Sequence, residues 1–152
     1  MGSMLFCAVA LSGCYLGAGP SVGYSMKHRQ PVLGWEGTII GVAGVSGGQL
    51  FRRDDRWHTT SWGALDVEWA FLTNHDNHFL PLLRGQLGGA EGDSDGFVAG
   101  LGGGALAFPH GVCSTEYSFD LTLLVRHVAH DTQLTLTARG AYYPVVPGCA
   151  SP

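Results

Sequence analysis

Apolar and polar residues alternate with a period of two over much of this chain. In the stretch from Ser61 to Leu72, Leu65, Val67, Trp69 and Phe71 fall on one side and Asp66 and Glu68 on the other. In the stretch Glu116 to Val128, Tyr117, Phe119, Leu121, Leu123 and Val125 share a face, opposite Ser118, Asp120, Thr122 and Arg126. From Gln133 to Tyr143, Leu134, Leu136, Ala138 and Tyr142 oppose Gln133, Thr135, Thr137 and Arg139. Strict alternation is the signature of strands with two unlike faces. A helical period is nearly absent.

Turn residues punctuate the pattern near His28–Pro31, Ser46–Gly48, Asp54–Arg56, Asn74–Asn77, Glu91–Asp95, Pro109–Val112 and His130–Asp131. This spacing predicts about eight strands of roughly ten residues. An all-β, up-and-down antiparallel barrel satisfies such a pattern, because closure removes the exposed edges. A β-sandwich is the alternative architecture. Gly100, Gly102, Gly103 and Gly104 are expected at crowded or sharply bent parts of the wall.

One face carries Glu36, Asp66, Glu68, Arg84, Gln86, Asp120, Arg126 and Arg139, and the other mostly aliphatic and aromatic residues. Two barrels obey that division. In a membrane, the apolar face meets lipid and the polar face fills the interior. Four acids (Glu36, Asp66, Glu68, Asp120) then pair with Arg84, Arg126 and Arg139, because lone buried charges are costly. Trp35, Trp62, Trp69, Tyr142 and Tyr143 are candidates for interfacial girdles. In water, the apolar face turns inward around a core or ligand cavity, as in a lipocalin-like carrier.

Composition favours the first arrangement. Only 13% of residues are charged, against roughly 25% in ordinary soluble domains. Of eight basic residues only Lys27 is lysine. There is no basic stripe and the net charge is -4, which argues against a nucleic-acid partner. The 152 residues suffice for one domain. No segment offers the roughly 20 apolar residues a spanning helix needs.

The run Met4–Leu11, MLFCAVAL, suits the apolar core of a secretory signal, and it ends in LSGC. Leu11, Ser12, Gly13 and Cys14 resemble the lipobox of bacterial lipoproteins, in which the cysteine is lipidated and becomes the new N-terminus. That resemblance implies a signal peptide over residues 1–13, a lipidated Cys14, and a single barrel domain over 14–152. The other reading is a first strand with a chance cysteine. Tyr15 follows Cys14, where the enteric sorting rule places Asp in proteins held at the inner membrane, so the outer membrane is implied. Export would leave Cys113 and Cys149 as one pair in an oxidising compartment, able to form a disulfide worth roughly 3 to 4 kcal/mol, or to remain as two thiols. From Tyr15 to Tyr143 the pattern and composition are similar to those of the small outer-membrane barrels of Gram-negative bacteria.

Candidate chemistry is sparse. The chain has no phosphate-binding loop, nucleophile elbow or zinc-helix motif, and Gly100–Gly104 lacks the helix pattern of a dinucleotide fingerprint. Asn74–His78, NHDNH, holds His75, Asp76 and His78 close together, but a polar hairpin tip has the same composition. His127, His130 and Asp131 form a second weak metal candidate. Asp66 and Glu68 read as salt-bridge partners ahead of an acid/base pair. Phe51–Trp57, FRRDDRW, reads as a solvated hairpin tip with arginines in reach of lipid phosphates. The expectation is therefore a non-enzymatic envelope protein without cofactor or metal. Its partners would be membrane lipid and envelope proteins. The alternative is a lipid-anchored periplasmic carrier of an apolar ligand.

Overall fold

The computed structural model describes residues 15–40, 44–70, 78–93, 95–109 and 117–142. Eight strands follow one another: β1 (Tyr15–Ser25), β2 (Gln30–Ile40), β3 (Gly44–Arg53), β4 (Trp57–Ala70), β5 (Phe79–Gly92), β6 (Gly96–Ala107), β7 (Tyr117–Val128) and β8 (Asp131–Tyr142). Each pairs antiparallel with the next, and β8 returns to β1, giving a closed up-and-down barrel. Closure leaves no strand edge unpaired.

The two ends differ. Four tight turns close one end: Met26–Arg29, Asp54–Arg56, residues 93–95 and Ala129–His130. In the last of these Ala129 takes a φ of 56°, as two-residue hairpins of this twist require. The other end carries the longer connections, 71–78 and 108–116, together with both ends of the barrel wall.

Ser46–Gly48 is not a turn. It lies inside β3, where Gly48 faces inward opposite Glu36. A Cβ on Gly48 would stand 2.0 Å from the Trp35 carbonyl oxygen, so glycine there answers a close strand approach. Other turns shift by a residue or two: Pro31 sits in β2, Glu91 and Gly92 in β5, and Asp131 opens β8. Pro31 is tolerated because β2 pairs with β3 only from Leu33 onward, so its missing N–H removes no ladder bond on that side.

Alternation resolves into an inverted protein. Leu16, Leu33, Ile39, Val45, Leu65, Leu83, Leu87, Leu101, Phe119, Leu121, Leu123 and Val125 are all exposed on the outer wall. Glu36, Asp66, Arg84, Asp120, Arg126 and Arg139 are buried inside. Apolar residues reach the interior at its two ends. Val32, Leu50, Trp62, Ala64, Val98 and Val128 cluster toward the tight turns. Leu80, Leu82, Leu106 and Phe108 are buried toward the opposite end. The charged layer lies between these two.

Candidate functional site

Glu36 organises the charged layer. It projects inward from β2, paired in register with Gly19 on one side and Gly48 on the other. Two flanking glycines leave its carboxylate room to cross the interior. It reaches Arg84 of β5 and Arg126 of β7, with Arg126 Nη2 donating to Glu36 Oε2 at 2.6 Å. Glu36 has no exposure to solvent.

Arg84 is the most heavily engaged cation. Its Nε donates to Asp66 Oδ2 at 2.9 Å, its Nη2 donates to the same carboxylate, and its Nε lies 3.0 Å from Glu68 Oε1. Asp66 and Glu68 sit two residues apart on β4, and Glu68 pairs directly with Arg84 in the ladder. Arg139 forms the second fork. Its Nε donates to both oxygens of Asp120, its direct partner on β7, at 3.0 and 2.9 Å. Its Nη2 donates to Glu68 Oε1 at 2.7 Å and its Nη1 to Thr38 Oγ1 at 2.8 Å. Bidentate guanidinium–carboxylate pairs are among the strongest hydrogen-bonded ion pairs, and burial raises their weight.

Three further residues complete the layer: Gln86, already on the expected polar face, and Thr38 and Trp62, whose positions in the alternation would have found them. Gln86, two residues after Arg84, donates through Nε2 to Ser46 Oγ and Asp66 Oδ2, each at 3.0 Å, and accepts from Arg126 Nε at 3.0 Å. Thr38, two after Glu36, accepts from Arg139. Trp62 shares the inward face of β4 with Asp66. Its ring lies under the Arg126 guanidinium at 4.3 Å, a cation–π contact in a dehydrated setting. Trp62 is therefore part of the interior and not of an interfacial girdle, whereas Trp35 and Trp69 are on the outer wall.

The structure thus brings together all seven residues of the expected polar network: Glu36, Asp66, Glu68, Arg84, Asp120, Arg126 and Arg139. Both carboxylates of the Asp66/Glu68 pair are held by arginines. An eight-stranded interior is just wide enough for side chains to fill. Here charges fill its middle and apolar groups its ends. Among the described residues the middle of the interior is lined by charged and polar side chains, where a lipocalin-like carrier would present apolar ones.

Cys14, Cys113, Cys149, His75 and Asp76 lie outside the described residues. His78 meets the Phe108 carbonyl through Nδ1 at 3.0 Å. His127 stands on the outer wall, stacked on Phe97 with ring centroids 4.6 Å apart, and its Nδ1 is 3.1 Å from Thr132 Oγ1. Among the described residues no three His, Cys, Asp or Glu side chains gather as a metal site.

No protein-family model and no curated protein matches this chain. Solved structures share its architecture. The N-terminal β-barrel domain of Pseudomonas aeruginosa OprF superposes over 85% of this chain and 96% of its own, at 11% identity and a TM-score of 0.53. Neisserial surface protein A covers 86% and 97% at 13% identity and a TM-score of 0.55. Ail, the attachment invasion locus protein of Yersinia pestis, covers 87% and 98% at 14% identity and a TM-score of 0.53. At these identities the likeness establishes the barrel fold.

Proposed function

We propose that this chain is a membrane-spanning β-barrel of the outer membrane with a non-enzymatic, structural or interaction role. The single observation that carries the reading is the inverted burial: arginines and carboxylates inside, and a continuous wall of leucine, valine, isoleucine and aromatic residues outside. In water that wall would be an apolar patch far beyond the few hundred Å² that monomers tolerate. In lipid it is the expected surface, and strands of 10 to 14 residues meet the roughly 9 to 11 needed to cross. The likeness to Neisserial surface protein A and to Ail supports a role at the cell surface. The ion-paired side chains filling the middle of the interior argue for a barrel that passes no solute.

Export through a signal peptide over residues 1–13, an acyl anchor on Cys14 and a Cys113–Cys149 disulfide belong to the same proposal, on the strength of the LSGC motif and the cysteine count. Intact mass of the protein from membranes tests all three, as loss of 13 residues, gain of acyl groups, and a two-dalton shift on reduction.

Folding tests the spanning barrel. A Cys14→Ser chain, which cannot be acylated, is refolded in detergent and the detergent is then removed. Precipitation, with retention of β structure only in detergent or bilayers, is the expected result. A clear monodisperse β-rich solution would overturn the reading.

A further inference from the structure

Every lysine and arginine outside the interior lies at the tight-turn end of the barrel. Lys27 and Arg29 stand in the turn after β1, Arg52 and Arg53 close β3, and Arg56 lies in the next turn. The remaining basic residues are the three interior arginines. The sequence of the opposite end, including the connections 41–43, 71–78 and 108–116, contains no lysine or arginine and includes Asp76 and Glu116.

These five cations share one half of the rim, β1 to β4, with Asp54 and Asp55 in the same turns. The turns that bear them are neighbours, joined by the Gln30 amide donating to Asp54. That bond holds the Asp54 carboxyl below its ordinary range, helped by the Arg52 charge, so Asp54 remains an anion and pairs with Arg52 at 3.3 Å. Among the described residues Lys27, Arg29, Arg53 and Arg56 form no ion pair. The acids of the β5–β6 connection, in the other half, are engaged elsewhere. Asp93 contacts His58 Nδ1 at 3.1 Å and accepts from the Thr59 backbone N–H, and Asp95 accepts from the Gly92 N–H.

This half of the rim also meets the apolar wall directly. Arg53 lies over the Trp57 ring at 5.8 Å, and Trp57 is 58% exposed; Tyr24 on β1 and Met26 in the turn after it are exposed at the same end. Along the outer face of β4 the residues change from Trp69, Val67 and Leu65 to Ser61, Thr59 and Trp57, the sequence expected where hydrocarbon gives way to headgroups.

We propose that this half of the rim binds the phosphate headgroups of anionic lipids, with Arg53, Arg56, Lys27 and Arg29 supplying the contacts and Trp57 and Tyr24 seating against the upper acyl region. Guanidinium groups favour phosphate oxygens, and adjacent apolar rings select a phosphate attached to hydrocarbon over a free one. The inference rests on the membrane-spanning reading.

The test uses the full chain in a neutral maltoside detergent, titrated with phosphatidylglycerol or phosphatidylcholine, with retained lipid counted by native mass spectrometry. Phosphatidylglycerol is expected to be retained over phosphatidylcholine. Each of Arg53→Gln, Arg56→Gln and Lys27→Gln should weaken retention about fivefold. Glu91→Gln, at the end of β5 in the other half of the rim, should not weaken it, and millimolar inorganic phosphate should not displace the lipid. Equal retention of the two lipids, or variants that bind as the parent does, would overturn the proposal. Displacement by inorganic phosphate would also overturn it, in favour of a soluble anion. A chain that stays dispersed without detergent would remove the spanning barrel as well, whereas one that needs detergent yet shows no headgroup preference removes this inference alone.

Discussion

Glu36 on β2 and Arg126 on β7, three strands apart, meet inside the barrel at 2.6 Å and without access to solvent. No ladder pairing joins these strands, so the contact exists only once the barrel has closed. It ties closure to charge neutralisation: an open sheet would leave both groups buried or half-buried without partners.

Removing one partner should therefore cost more than removing two. Glu36→Gln leaves Arg84 and Arg126 short of a counter-charge, and we expect a loss of about 3 to 5 kcal/mol. Adding Arg126→Met should recover part of that loss. Urea unfolding in lipid vesicles measures both, and additive losses would show that the two residues are not coupled.

Two glycines on opposite faces should respond in opposite ways. A Cβ on Gly104 would stand 1.9 Å from the Leu121 carbonyl oxygen, a backbone atom with no freedom to move. Gly104→Val is expected to prevent closure or to cost on the order of 3 kcal/mol. A Cβ on Gly85, on the outer wall, meets nothing within 4 Å, so Gly85→Ala should be neutral or mildly stabilising. Gel mobility of folded against unfolded barrel reads the comparison.

Leu101 is the most exposed of the outer leucines, at 71%. In a bilayer, Leu101→Arg should cost about 2 to 4 kcal/mol near the midplane. On a water-facing wall the same change would stay within about 0.5 kcal/mol. Unfolding in vesicles separates the two.

Asp54 sets a pH dependence at the tight-turn end. Its carboxyl is held below the ordinary value of 3.8 by Gln30 and then Arg52. The stabilisation is present above pH 3.8 and fades as pH falls through the lower folded-state value. Asp54→Asn should lower stability slightly at pH 7 and flatten the acid limb below pH 4, so that the two curves converge at low pH. A parent and variant with parallel acid limbs would show that the hydrogen bond contributes nothing.

The membership of the charged layer was legible because alternation is a local property. Once Asp66 faces inward, Glu68 and Trp62 do too. Reading Trp62 as an interfacial residue gave weight to its type over its parity, and the Arg126 guanidinium above it shows what the parity implied. The turn expected at Ser46–Gly48 failed for a related reason. Adjacent glycines mark loops in general, but here Gly48 clears the approach of β2 to β3.

The sequence by itself determined the period, the number of strands, the inward and outward sets, and the near balance of four acids against three arginines. Those are properties of residues a few positions apart. Only the tertiary structure decided that Glu36 bridges to both Arg84 and Arg126, that Arg139 divides between Asp120 and Glu68, and that Trp62 lies under the Arg126 guanidinium. These contacts join residues as far apart as Glu36 and Arg126. Their partners are chosen by strand stagger and barrel closure, which no local pattern encodes.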